Sequence, residues 1–192
     1  MNQTRPWSPA AFEARFAADP DPWSFRTSAY ERSRYSALLS ALGGRRFERA
    51  LEPGCANGEL TAQLASAAER VIAFDVSPTA AALARERCGP LAGVTIDVRD
   101  LRDPCPPGPF DLVVLSEVGY YFTTRELEAI GGGLVAQLAP GGALLAGHWQ
   151  GRSDDHRLHG DEVHAVLDGL DGLRPRRRER HPGFRVDVWE RA

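Results

Sequence analysis

The residues best placed to do chemistry fall in one short stretch, Ala50-Leu51-Glu52-Pro53-Gly54-Cys55-Ala56-Asn57-Gly58-Glu59-Leu60. An apolar run passes through a glycine turn into a helical pattern. Gly54 and Gly58 let the backbone turn tightly and come close to a ligand. A glycine turn alone would suit NAD as well as any other nucleotide. Two features separate the readings. Glu52 stands two residues before Gly54, where a carboxylate would repel a pyrophosphate but suits a cationic amino-acid ligand. The dinucleotide pattern G-x-G-x-x-G falls on Gly54, Ala56 and Glu59, so its second and third glycines are missing. Asp75 ends the next strand, where an acid can accept hydrogen bonds from both hydroxyls of a ribose. Asp100, after the third strand, is a plausible acceptor for an adenine amino group.

These groups need strands and helices to hold them. Residues 1–28 are rich in proline and aromatic residues, with a short helix expected around 10–17 and a break at Asp19-Pro20-Asp21-Pro22. Tyr35, Leu38, Leu39 and Leu42 recur at helical spacing, which predicts a helix over 30–42 stopped by Gly43-Gly44. Strand and helix then alternate. A short strand is expected to end with 50–52, and further strands at 71–75, 94–98, 110–115 and 143–149. Helices are expected at 59–69, at 78–88 with Ser77 as N-cap and Pro78 first, at 124–138 closed by Pro140-Gly141-Gly142, and at 161–170. Two last strands over 173–190 are joined by His181-Pro182-Gly183 and must be antiparallel. Alternation of this kind implies a mostly parallel sheet, with one antiparallel strand near its edge and helices on both faces. The run Arg174, Arg176, Arg177, Arg178 and Arg180 reads as an exposed edge strand kept soluble by charge.

The 192 residues fit one domain, with residues 1–42 ahead of an α/β core over 43–192. A net charge of −3 argues against a broadly basic nucleic-acid binder. All 23 basic residues are arginine, so no lysine exists for a Schiff base or a P-loop. Cys55, Cys88 and Cys105 are odd in number and widely spaced, which disfavours a disulfide framework or a cysteine–zinc site and points to a reducing cytoplasm. Residues 1–9 lack the apolar run of a signal peptide, and no stretch has the length of a membrane span.

Taken together, E-P-G-C-A-N-G at 52–58, F-D-V-S at 74–77, the acid at 100, F-D-L-V-V-L-S-E-V at 110–118 and P-G-G at 140–142 resemble the class I methyltransferase superfamily. That resemblance implies a Rossmann-like seven-stranded sheet and S-adenosylmethionine as methyl donor. A narrower similarity, to the nodulation protein S (NodS) type, is carried by D-P-W-S-F at 21–25, S-A-Y-E-R at 28–32, Arg34-Tyr35, S-E-V-G-Y-Y at 116–121, H-W-Q-G at 148–151 and G-D-E-V-H at 160–164. Members of that type N-methylate an amino sugar on a chito-oligosaccharide precursor. The resemblance implies cofactor contacts from Glu52, Gly54, Cys55 and Gly58 of the turn, from Asp75 and Val76, from Asp100 and Leu101, and from Ser116. It also implies a lid helix bringing Tyr30 and Tyr35.

Glu117, Tyr120 and Tyr121 then lie where the transferred methyl would sit. An aromatic wall there can stabilise a sulfonium, and a carboxylate can hold an ammonium or take its proton. His148, at the end of the fifth strand beside Trp149, is a candidate base. His156, His159 and His164 lack the H-E-x-x-H context of a zinc site, so no metal is expected and a substrate-side loop is. The expected partner is a small-molecule or oligosaccharide acceptor, with no nucleic acid and no membrane. An O-methyltransferase of a small metabolite, a non-catalytic S-adenosylmethionine-binding domain and, last, a dehydrogenase stay open.

Overall fold

The computed structural model describes residues 5–192, so Met1–Thr4, part of the expected lid, lie outside the described residues. Seven strands form one sheet: β1 Phe47–Pro53, β2 Ala68–Asp75, β3 Val94–Val98, β4 Phe110–Ser116, β5 Leu138–Trp149, β6 Leu173–His181 and β7 Phe184–Arg191. Their order is β3-β2-β1-β4-β5-β7-β6. All pairings from β3 to β5 are parallel, and β7 runs antiparallel to both its neighbours. The chain reverses direction across the sheet between β1 and β4, so the crevice for a ligand opens at the carboxyl ends of those strands.

Strand residues alternate between the two faces. Ala50, Leu112 and Val114 belong to one apolar cluster, and Leu51, Val113 and Leu115 to the other. The helices α2 (Ala29–Ala41), α3 (Glu59–Leu64) and α4 (Pro78–Cys88) cover the first face through Leu38, Leu64 and Ala84. The helices α5 (Thr124–Gln137) and α6 (Gly160–Asp168) cover the second through Leu127, Leu134, Val163 and Leu167. Helix α1 (Pro9–Ala18) lies across the carboxyl end of the sheet, with Phe12 packed on the second cluster.

Local chemistry sets several boundaries. The Ser77 hydroxyl accepts from the Ala80 amide and Pro78 opens α4. Thr123 and Glu126 close a capping box on α5. Two expectations need correction. The helix after the glycine turn stops at Leu64 instead of reaching 69, because Ala68 and Arg70 pair with Phe47 and Arg49 of β1. Alanine's helix propensity is worth only tenths of a kcal/mol against its neighbours, roughly, and a sheet ladder outweighs it. Pro140-Gly141-Gly142 does not separate α5 from β5 but lies within β5. There the register jumps from Phe110↔Leu138 to Leu112↔Ala143, so the segment bulges out. At the far edge, β6 is exposed and its arginines pair with acids, Arg178 with Asp168 and Arg180 with Asp161. No helix among the described residues is long and apolar enough to cross a membrane.

Candidate functional site

A cavity of about 430 Å³ opens at the carboxyl ends of β1, β2 and β4, under α1 and α2. Its floor is the glycine turn. Gly54 has φ +73°, and a β-carbon there would stand 3.1 Å from Val118, which also lines the cavity. Gly58 has φ +82° and a different task. A β-carbon would fall 2.9 Å from the Cα of Ala84, so this glycine lets the start of α3 press on α4 without itself lining the cavity.

Two acids meet at the floor. Asp75 accepts from the Ala56 amide at 2.9 Å and from the Ser77 amide at 2.9 Å. Burial nevertheless raises its pKa, with those backbone donors opposing. Glu52 is only 3% exposed, and its Oε2 has no hydrogen-bond partner. Burial raises its pKa to about 8. The Thr61 hydroxyl beside it opposes that shift, and the charge of Asp75 adds to it. A ligand carrying a cation or a hydroxyl would supply the partner that Glu52 Oε2 lacks. Val76, Asp100 and Leu101 continue the cavity along the carboxyl ends of β2 and β3, with an acid at the far end.

The opposite wall comes from α2 and the end of β4. Arg34 is buried, donates to Ser116 Oγ at 2.8 Å, pairs closely with Glu31, and lies 3.5 Å from Glu117 Oε1. Burial works against its charge, but Glu117 and Glu31 outweigh burial and hold its pKa above the ordinary arginine value. Glu117 has φ +58°, a costly conformation for a residue with a side chain. Its carboxylate accepts from the Trp149 amide at 2.7 Å and from the Tyr120 hydroxyl at 2.8 Å. Tyr30, whose phenol burial pushes up to about 12, donates to the Gly183 carbonyl and joins Tyr35 in the same wall.

A family model described as nodulation protein S (NodS) matches residues 11–167. The chain belongs to the NodS family. It is 38% identical over 133 residues to nodulation protein S of Rhizobium tropici, covering 68% of this chain and 56% of that one. It is 37% identical over 139 residues to nodulation protein S of Bradyrhizobium diazoefficiens, covering 70% of this chain and 65% of that one. The matched stretch thus spans less than two thirds of these relatives. The fold is also that of N-methyltransferase NodS from Bradyrhizobium japonicum, solved in complex with S-adenosylhomocysteine. That likeness has a TM-score of 0.85 at 26% identity and covers 95% of this chain and 97% of the other.

Within this NodS-family chain, the cavity brings together Tyr30, Tyr35, Glu52, Gly54, Cys55, Asp75, Val76, Asp100, Leu101, Ser116, Glu117 and Tyr120. His148 is a correction. It is fully buried, does not line the cavity, and both ring nitrogens are engaged. Nε2 accepts from the Gly119 amide at 3.2 Å, and Nδ1 lies 3.2 Å from His164 Nε2. Burial, with His164 next to it, pushes its pKa well down, so it is a fixed neutral link and not a base facing a substrate. His164 continues the chain to Asp187 at 3.0 Å. The three loop and helix histidines therefore part company. His164 is buried, His159 caps α6, and His156 enters the cavity.

Sequence reasoning missed Glu31 and Arg34, and it placed His156 on a substrate-side loop without giving it a role of its own. Arg34 and Glu31 stood inside the quoted motif, but a charged pair on a helix reads as solvated. The signal that could have found them is their place beside Tyr30 and Tyr35 on the helix face turned to the glycine turn.

Proposed function

We propose that this chain is an S-adenosylmethionine-dependent methyltransferase whose acceptor is an amine on a sugar or small metabolite. The carrying observation is the pair of buried acids, Glu52 and Asp75, at the floor of the cavity. Their spacing along the sheet edge, the missing second and third glycines and the acid at 100 suit an amino-acid nucleoside better than a pyrophosphate. The NodS relative with S-adenosylhomocysteine bound supports the same reading.

When bound, S-adenosylmethionine supplies an electrophilic methyl on a sulfonium. The chain's own work is to bind and orient. Glu52 takes the amino-acid ammonium and Asp75 the ribose hydroxyls, Asp100 and Leu101 receive the adenine, and Gly54, Cys55, Val76 and Ser116 shape the bed. Tyr30 and Tyr35 close it from above. Glu117 and Tyr120 frame the acceptor end, where an aromatic face favours positive charge. Displacement of this kind gains chiefly from positioning the two reactants. The three cysteines are free, which suits work in a reducing cytoplasm.

The test is turnover. Purified protein with S-adenosylmethionine is offered glucosamine, larger amino sugars and matching sugars without the amine. The expected result is S-adenosylhomocysteine released together with one methylated amine. Methylation of the amine-free sugars would instead support an O-methyltransferase. Cofactor binding without turnover on any acceptor would support a non-catalytic binding domain.

A further inference from the structure

We propose that His156, held by its stack on Tyr120 with Asp155 close by, takes the proton from the methyl acceptor. This deepens the methyltransferase reading and rests on it. An ammonium has no lone pair with which to attack a methyl group, so the site must either bind the neutral amine or hold a proton acceptor within reach of it. His148 is sealed under Gly119, and Glu117 already accepts from Tyr120 and Trp149 and faces Arg34. His156 is the imidazole that lines the cavity.

Its placement is specific. The ring stacks on Tyr120 with centroids 3.7 Å apart and planes 16° apart. It also meets Tyr121 edge-on at 5.3 Å and Trp149 at 6.0 Å. Among the described residues, neither ring nitrogen makes a hydrogen bond, and Asp155 Oδ1 lies 3.8 Å from Nε2. Asp155 is held in turn by Arg15 of α1 at 2.8 Å and by the Ser153 hydroxyl. The charged and titratable groups around His156 are Asp155 and Glu117, which favour its protonated form, and His159 and Arg15, which oppose it. Tyr120 and Tyr121 have raised pKa values, chiefly from burial, and face it as neutral phenols. Burial is the largest influence and lowers the imidazole's pKa, so at neutral pH the ring is uncharged and free to accept.

The step balances. The acceptor ammonium gives one proton to a ring nitrogen of His156 and becomes a neutral amine. Its lone pair forms the N–C bond as the S–C bond breaks, and that electron pair stays on sulfur. The positive charge passes from sulfur to the methylated nitrogen, and the imidazolium returns its proton to solvent.

The experiment pairs nuclear magnetic resonance of histidine-labelled protein with kinetics of His156→Phe, which keeps the stacked ring and removes the nitrogens. S-adenosylhomocysteine affinity of the variant should match the parent, and its failure in the parent would sink the methyltransferase reading itself. In the parent with S-adenosylhomocysteine bound, glucosamine should shift the His156 resonances. In turnover of glucosamine, kcat should fall about 100-fold with KM little changed. The acid limb of the parent's kcat profile, set by the His156 titration, should move in the variant to that of the bound amine itself. A purely structural role would keep that limb. Unmoved His156 resonances with glucosamine, or a variant with parental kcat, overturns the proposal. The resonance measurement on the parent stands even if His156→Phe fails to fold.

Discussion

Glu52 is where a single residue carries most of the argument. A carboxyl group at the end of β1 with an unpartnered, buried oxygen is costly in the empty protein, and the proposed cationic ligand would offset that cost. Its folded pKa lies near 8 against an ordinary 4.5, so the folded, ligand-free chain holds a proton that the unfolded chain releases. This group therefore takes nothing from stability below about pH 4.5. Between there and about pH 8 it lowers stability by about 1.4 kcal/mol per pH unit. Glu52→Gln removes that slope. Thermal unfolding of the two proteins at pH 5 and pH 8 should show the variant gaining on the parent as pH rises. An equal pH dependence in both would contradict the assignment. Asp75 and Glu52 were legible in the sequence because a strand end followed by glycine or by Ser-Pro fixes where a side chain emerges. His156 was legible only as part of a substrate-side histidine loop, because that loop has no periodicity and only the folded chain stacks the ring on Tyr120.

At the scale of elements, β5, α6 and β7 are tied by a buried polar chain. It runs from the Gly119 amide through His148, His164 and Asp187 to Arg185, whose Nη2 lies 2.6 Å from Asp187 Oδ2. The chain fixes the short turn Gly119–Tyr121, and with it Tyr120 against the cavity. Asp187 is fully buried, so Arg185→Met leaves its charge without a counterion. Urea unfolding should show a loss of about 3 kcal/mol. A loss below about 1 kcal/mol, the range of an exposed pair, would mean the chain is not a structural tie. Element by element, β3 and α4 were readable to the residue, since Ser77-Pro78 and a bounded apolar run leave little choice. The end of α3 was not readable, because Ala65-Ser66-Ala67-Ala68 favours helix locally and only the partner β1 draws residues 68–70 into the sheet. Nor was the bulge in β5, where a Pro-Gly-Gly stop signal sits inside a strand whose register shifts around it.

Over the whole molecule, α1 is a strap joining both ends of the cavity. Glu13 accepts from the Ser77 hydroxyl at 2.6 Å and the Thr79 hydroxyl at 2.6 Å, beside Asp75, while Arg15 reaches Asp155 beside His156. The loop behind it is pinned to the glycine turn by Asn57 and Asp21 at 3.0 Å. Residues of the N-terminal segment thus close over residues from the middle of the chain, and the family match, from residue 11 on, takes in most of α1. Glu13→Ala should free the strap and speed release of S-adenosylhomocysteine about tenfold, a change of about 1.4 kcal/mol, read by stopped-flow tryptophan fluorescence. An unchanged release rate would mean that α1 does not gate the cavity. The most direct test of the account as a whole is calorimetric titration of the parent and of Asp75→Ala with S-adenosylhomocysteine, with NADH as the control. Micromolar binding to the parent is expected, weakening by about 100-fold or more in Asp75→Ala, with no heat from NADH. Binding of NADH in place of S-adenosylhomocysteine, or no binding of either, would contradict it.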